Sequence, residues 1–102
     1  MAYDAPVADM AFTLQAVAGL PRLEGLPGFE TYDPDLIGPV LEEAGKLARD
    51  VLAPLNQPGD AAGSVLTENG VKAAPGFAEA YTQFRDGGWM GLSAPEEWGG
   101  QG

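Results

Sequence analysis

The chain has 102 residues, 15 acidic against 5 basic side chains for a formal charge of −10, no histidine and no cysteine. This composition excludes disulfides, thiolate nucleophiles, cysteine metal sites and Ser/His/Asp catalysis, and a strongly acidic surface repels the phosphates of nucleic acid and of anionic membranes. Fifteen glycines and nine prolines come near low-complexity levels, but 45% of the residues are apolar and fall in helical phase, so one small folded domain with a modest core is expected.

The first ten residues, MAYDAPVADM, lack the basic and apolar regions of a secretory signal, and no run of 18 apolar residues occurs, so a cytoplasmic location is the expectation. A helix is predicted over 7–18. Met10, Leu14 and Val17 recur at i, i+4, i+7 and Ala8, Phe12 and Ala16 form a neighbouring row, a pattern that calls for a burying partner. Gly19 fits the position after the helix end and Pro21 blocks its continuation. Leu23, Leu26 and Phe29 surround a Pro27-Gly28 turn signal, which reads as a loop anchored by its own side chains, serving either a subunit contact or packing on its own domain.

The longest predicted helix covers 34–52, with Asp33 as N-cap, Pro34 at the first position and Asp35 complementing the positive end of the dipole. Ile37, Val40, Ala44, Leu47 and Val51 step by three and four, widened by Leu41, Ala48 and Leu55, opposite Glu42, Glu43, Lys46, Arg49 and Asp50. Glu42 and Lys46 stand in the favourable i, i+4 order. Pro39 lacks an N–H and its ring opposes the Asp35 carbonyl, so a kink is expected near Gly38. The stripe is too short for a coiled-coil seam and reads as core.

Pro54 and Pro58 predict extended backbone, followed by a surface loop over 59–64. Val65-Leu66 and Val71-Lys72 flank Thr67-Glu68-Asn69-Gly70, a hairpin signal. Asp60 and Glu68 do not match the spacing of a calcium loop and read as solvated charge. Pro75 opens a last helix over 76–86, closed by Gly87, with Phe77, Tyr81 and Phe84 at i, i+4, i+7. That aromatic stripe reads as core, with Tyr81 needing a partner for its hydroxyl.

Residues 87–102 read GGWMGLSAPEEWGGQG. Glycine pairs bracket Trp89, Met90, Leu92 and Trp98, the pattern of a packed connector whose tryptophans have no following element to cover them. The GGQG run admits an anion nest, but without a preceding strand it reads as a helix-to-helix turn. Glu96 and Glu97, beside Pro95 and Trp98, are the carboxylates next to bulky apolar groups; the expectation is exposed turn glutamates.

The run Gly87-Gly88-Trp89-Met90-Gly91-Leu92 with Pro95-Glu96-Glu97-Trp98-Gly99-Gly100-Gln101-Gly102 resembles the G-W-x-G-L-x-x-P-E-x-G-G-x-G segment of the flavin-dependent acyl-CoA dehydrogenases. The resemblance extends back through Pro75-Gly76-Phe77 with Glu79-Ala80-Tyr81, Val51-Leu52-Ala53-Pro54-Leu55-Asn56 with Gly59-Asp60, Leu26-Pro27-Gly28-Phe29-Glu30, and Asp9-Met10 with Phe12 and Leu14. These pieces are similar to the larger bacterial branch, which includes the 3-methylthiopropionyl-CoA dehydrogenases.

The resemblance implies an all-α fold: a three-helix fragment of the family's N-terminal helical domain with a small β-hairpin. It implies a leading helix and extension over 1–32 and the start of that domain over 33–102. For the full-length protein it implies FAD, an acyl-CoA substrate, electron-transfer flavoprotein as partner and a homo-oligomer. It places the catalytic glutamate and the flavin contacts in other domains, so no catalytic, cofactor-binding or metal residue is assigned here, and the chain alone is expected to be inactive and to bind no FAD. Its role would be to cover part of the acyl-binding region and to contribute to subunit contacts. The rival expectation is a self-contained helical interaction module with Trp89 and Trp98 on its binding patch.

Overall fold

The computed structural model describes residues 3–102, which group into two compact bodies, Tyr3–Arg49 and Asp50–Gly102. The first begins with α1, Val7–Phe12, which continues through a π-helical turn, Thr13–Val17, in which the Ala18 amide donates to the Thr13 carbonyl at 2.8 Å. Thr13 Oγ1 donates to the Asp9 carbonyl at 2.8 Å, a side-chain bond of the kind that loosens a helical turn. Gly19 ends the helix at φ 73°, a conformation glycine adopts without a Cβ penalty.

After a 3₁₀ turn, Leu20–Leu23, the chain is held by successive hydrogen-bonded turns. The amides of Leu26, Phe29 and Tyr32 donate to the carbonyls of Leu23, Leu26 and Phe29 at 3.1, 3.1 and 3.0 Å. Gly25 and Gly28 occupy the positive-φ positions of the first two, at 80° and 91°. The anchoring therefore comes from the backbone: Leu26 and Phe29 are exposed, contrary to the loop pinned by its side chains that the sequence suggested.

Asp33 caps as expected, its Oδ1 accepting from the Asp35 amide at 2.9 Å, and a 3₁₀ turn, Pro34–Leu36, leads into α2, Ile37–Leu47. Because the α-helix begins at Ile37, Pro39 lies in its first turn, where a missing N–H costs nothing within the helix. The 3₁₀-to-α change is how this segment accommodates Pro39. α1 packs on α2. The half-buried face of this first helix consists of Val7, Ala11 and Leu14, while Met10, Phe12 and Val17 are exposed, so of the apolar rows chosen from the sequence only Leu14 lies on the covered face. On α2 the half-buried residues are Ile37, Val40, Leu41, Ala44 and Leu47, as the periodicity indicated, together with Gly38 and Gly45. Gly45 sets the approach: a Cβ there would stand 3.3 Å from Val7 Cγ2 and 3.6 Å from Ala5 Cβ. Lys46 pairs with Glu43 at 2.7 Å, one residue away from the expected Glu42 partner.

In the second body the largest departure from the sequence reading is α3, Ala53–Ala62, which contains both Pro54 and Pro58 where extended backbone and a loop were expected. A π-helical turn, Ala48–Leu52, precedes it. Pro54 therefore falls directly after a π turn, whose wider spacing carries the chain past the carbonyl its ring would strike. α3 ends at Gly63, φ 64°, and β1, Val65–Thr67, pairs antiparallel with β2, Gly70–Lys72, in the register Val65↔Lys72, Leu66↔Val71, Thr67↔Gly70. Glu68 and Asn69 form the turn, both at negative φ, and Gly70 follows at φ 108°. Asn69 and Gly70 thus do not form the two-residue centre of the turn.

α4, Phe77–Asp86, starts behind Gly76 at φ 88° and is closed by backbone bonds from Gly87 to Gln83 at 3.0 Å and from Gly88 to Arg85 at 3.0 Å. The left-handed residue is Gly88, φ 81°, one place beyond the expected Gly87. Residues 87–102 form two 3₁₀ turns, Trp89–Gly91 and Glu96–Trp98, tied into one connector by the Gln101 amide on the Gly91 carbonyl and the Gly102 amide on the Ala94 carbonyl, both 2.9 Å. Gly91 and Gly100 come together there, a Cβ on Gly91 standing 3.3 Å from Gly100 Cα. The fold is mainly helical: the three expected helices and the hairpin are present, with α3 in addition. Among the described residues only Ala74 and Ala80 are buried.

Candidate functional site

The second body carries an apolar groove of about 350 Å³ between α3 with its preceding turn and α4. Leu52, Leu55 and Asn56 line one wall, and Phe77, Ala80, Tyr81 and Phe84 line the other. The α4 residues stand at i, i+3, i+4, i+7, which places them on one helix face. Leu52, Leu55, Asn56 and Gly59 repeat the same spacing on the facing helix, a pattern present in the sequence but hidden by reading Pro54 and Pro58 as breakers.

Three small residues shape the groove. Ala80, 5% exposed, forms the buried part of the α4 wall. At Gly59 a Cβ would lie 2.6 Å from Phe77 Cζ, so the absence of a side chain is what seats the Phe77 ring against α3. At Gly76 a Cβ would lie 2.7 Å from Leu55 Cδ2, and the positive φ there independently favours glycine. The rings themselves are partly open to solvent, Phe77 at 42% and Tyr81 at 54% exposure, so the aromatic stripe lines a groove and does not fill a core as the sequence suggested. Asn56 and the Tyr81 phenol supply the polar side chains of the lining. Such a surface can hold an apolar chain and orient one polar group; it has no charged side chain to act on a reacting atom.

The first body has a polar hollow lined by residues 4–9 and by Glu42, Gly45, Lys46 and Arg49. Lys46 Nζ donates to Glu43 Oε1 at 2.7 Å, and this bond with the carboxylate's charge holds the ammonium pKa above its ordinary value. Beyond the 3₁₀ turn Leu20–Leu23, the Gly28 amide donates to Glu30 Oε1 at 3.0 Å, which, with the Glu30 amide, holds that carboxyl below the usual range.

Glu96 and Glu97 are exposed in their 3₁₀ turn, and Trp98 beside them is 78% exposed, so no apolar wall encloses either carboxylate. The GGQG amides are all engaged: Gly99 on Glu96, Gly100 on Pro95, Gln101 on Gly91 and Gly102 on Ala94, at 2.9 to 3.1 Å. They form a closed turn and leave no N–H directed at an anion. Asp60 lies on α3 and Glu68 in the hairpin turn, and among the described residues no three acidic side chains converge. No helix among the described residues is long and apolar enough to cross a membrane.

No protein-family profile matches the chain. Along all 102 residues, however, it is 37% identical to the 3-methylmercaptopropionyl-CoA dehydrogenase of Ruegeria pomeroyi. The chain is related to the acyl-CoA dehydrogenases. It spans 17% of the length of that relative. The resemblance read from the glycine-, proline- and tryptophan-containing segments thus extends over the whole chain.

Proposed function

We propose that the chain is the N-terminal part of an FAD-dependent acyl-CoA dehydrogenase and that its α3/α4 groove forms part of the cover over the acyl-binding region. The observation that carries this reading is the 37% identity over every residue of the chain. In the complete enzyme FAD would take the hydride from the β-carbon of an acyl-CoA thioester. The groove does not fit the dinucleotide, because its lining holds no lysine or arginine to face a pyrophosphate. It does fit an apolar chain, since Leu52, Leu55, Phe77 and Phe84 exclude water while Asn56 and Tyr81 offer the polar contacts. The exposed apolar side chains of Met10, Phe12 and Val17 in the first body are suited to a subunit contact within a homo-oligomer. Electron-transfer flavoprotein as the onward acceptor and a cytoplasmic location complete the proposal.

The test is flavin bleaching by acyl-CoA, compared between this chain and the chain extended through the downstream domains. The extended protein should bleach, and the chain alone should leave the flavin absorbance unmoved. No bleaching by the extended, FAD-loaded protein overturns the dehydrogenase assignment. In that protein Ala80→Leu, which fills the groove, should raise KM for the acyl-CoA with little change in kcat; an unchanged KM overturns the role of the groove while leaving the assignment intact.

A further inference from the structure

We propose that Asn69 is a site of spontaneous backbone modification, converting to isoaspartate and aspartate through a cyclic imide with Gly70. The nucleophile is the Gly70 backbone nitrogen. Its amide proton is removed by water or hydroxide, the nitrogen bonds to Asn69 Cγ, the Cγ–Nδ2 bond breaks, and the side-chain nitrogen leaves as ammonia. Water then adds to one of the two imide carbonyls: opening at the side-chain carbonyl yields aspartate, and opening at the main-chain carbonyl yields isoaspartate.

Three features place this chemistry at Asn69. First, the following residue is glycine, and around Gly70 a Cβ would meet nothing within 4 Å, so neither a side chain on residue 70 nor a packed neighbour crowds the attacking nitrogen. Second, Asn69 and both strands are exposed to water, the reagent for ring opening. Third, the turn must open to bring the nitrogen onto Cγ, and little opposes that opening. The ladder is two strands of three residues, and the Thr67 hydroxyl that braces the turn, accepting from the Asn69 amide at 3.2 Å and donating to the Gly70 carbonyl at 2.7 Å, is itself exposed. Two-stranded ladders of this size are marginal, and local opening of exposed backbone bonds is cheap.

The product changes the molecule in two ways. Each event adds a negative charge to a chain that already carries −10. Isoaspartate also inserts a methylene into the main chain, so the Thr67↔Gly70 register cannot persist and the facing Leu66 and Val71 lose their alignment.

The chain contains its own control, since its other asparagine, Asn56, lies inside α3 and is followed by Gln57, whose side chain and helical backbone both oppose the ring. The 102-residue protein is aged at mildly alkaline pH in heavy-oxygen water and then mapped by peptide mass spectrometry, with isoaspartate counted by enzymatic methylation. The expected result is heavy oxygen and the accompanying mass gain confined to the peptide bearing Asn69, with isoaspartate in excess over aspartate. Asn69→Gln should abolish it, because the longer side chain would require a larger ring. Retention of the Asn69 amide while a denatured sample modifies, or modification of Asn56 at an equal rate, overturns the proposal.

Discussion

Two glycines that border the groove separate steric room from backbone conformation. Gly59 has ordinary helical φ, so alanine there gains helix propensity of about 1 kcal/mol but drives its Cβ into the Phe77 ring. Because Phe77 is already 42% exposed, its ring can turn outward, and Gly59→Ala should leave stability within about 1 kcal/mol of the parent in urea unfolding while changing the near-UV signal of the groove. Gly76 differs, since its φ of 88° penalises any Cβ, and Gly76→Ala should destabilise by about 1–2 kcal/mol in the same assay. Equal effects would show that neither glycine acts as its geometry indicates. A titration tests Glu30. Its folded-state pKa is lowered, so its contribution to stability is present above the unfolded pKa and is lost as pH falls through the folded value. The Gly28 amide resonance should follow that titration with a midpoint below the ordinary glutamate value, and Glu30→Gln should abolish the dependence. The groove's aromatic residues were legible as a periodic stripe; their half-exposure was not, because periodicity identifies a face without saying what covers it.

The prolines carry the main lesson among the elements. Pro39 was expected to kink a helix and Pro54 and Pro58 to end one, yet each lies within helical backbone. Pro39 lies in the first turn of α2, behind a 3₁₀ turn, and Pro54 directly follows a π turn, so the hydrogen-bonding pattern shifts at each to make room for the ring. Pro58 is the exception, an interior proline of α3. Pro58→Ala should therefore restore one backbone hydrogen bond and stabilise the chain by up to about 3 kcal/mol. Pro39→Ala, which restores no interior bond, should gain much less. Thermal unfolding of the two variants decides this, and a larger gain at Pro39 would contradict the assigned helix start.

For the molecule as a whole, no large apolar side chain among the described residues is buried. Phe12, Val17, Leu66, Val71, Met90 and Trp98 are each 60% exposed or more, and the buried side chains among the described residues are two alanines. Apolar patches beyond a few hundred Å² mark interfaces. The chain should bind hydrophobic dye or self-associate at micromolar concentration, and salt should promote association by screening the −10 charge. A monomeric, dye-silent species in sedimentation would contradict this. Local chemistry was enough to determine the Asp33 cap, the α2 stripe, the hairpin position and Gly19 as the end of the first helix, since capping, periodicity and positive φ depend on near neighbours. The tertiary structure alone decided which face of α1 meets α2, that α3 is a helix, and that Leu52, Leu55 and Asn56 face Phe77 and Phe84 across a groove. Those outcomes rest on contacts between residues distant in the chain, at Gly45 against Val7 and Gly59 against Phe77, where the fit of one side chain into the space left by another is invisible to any local pattern.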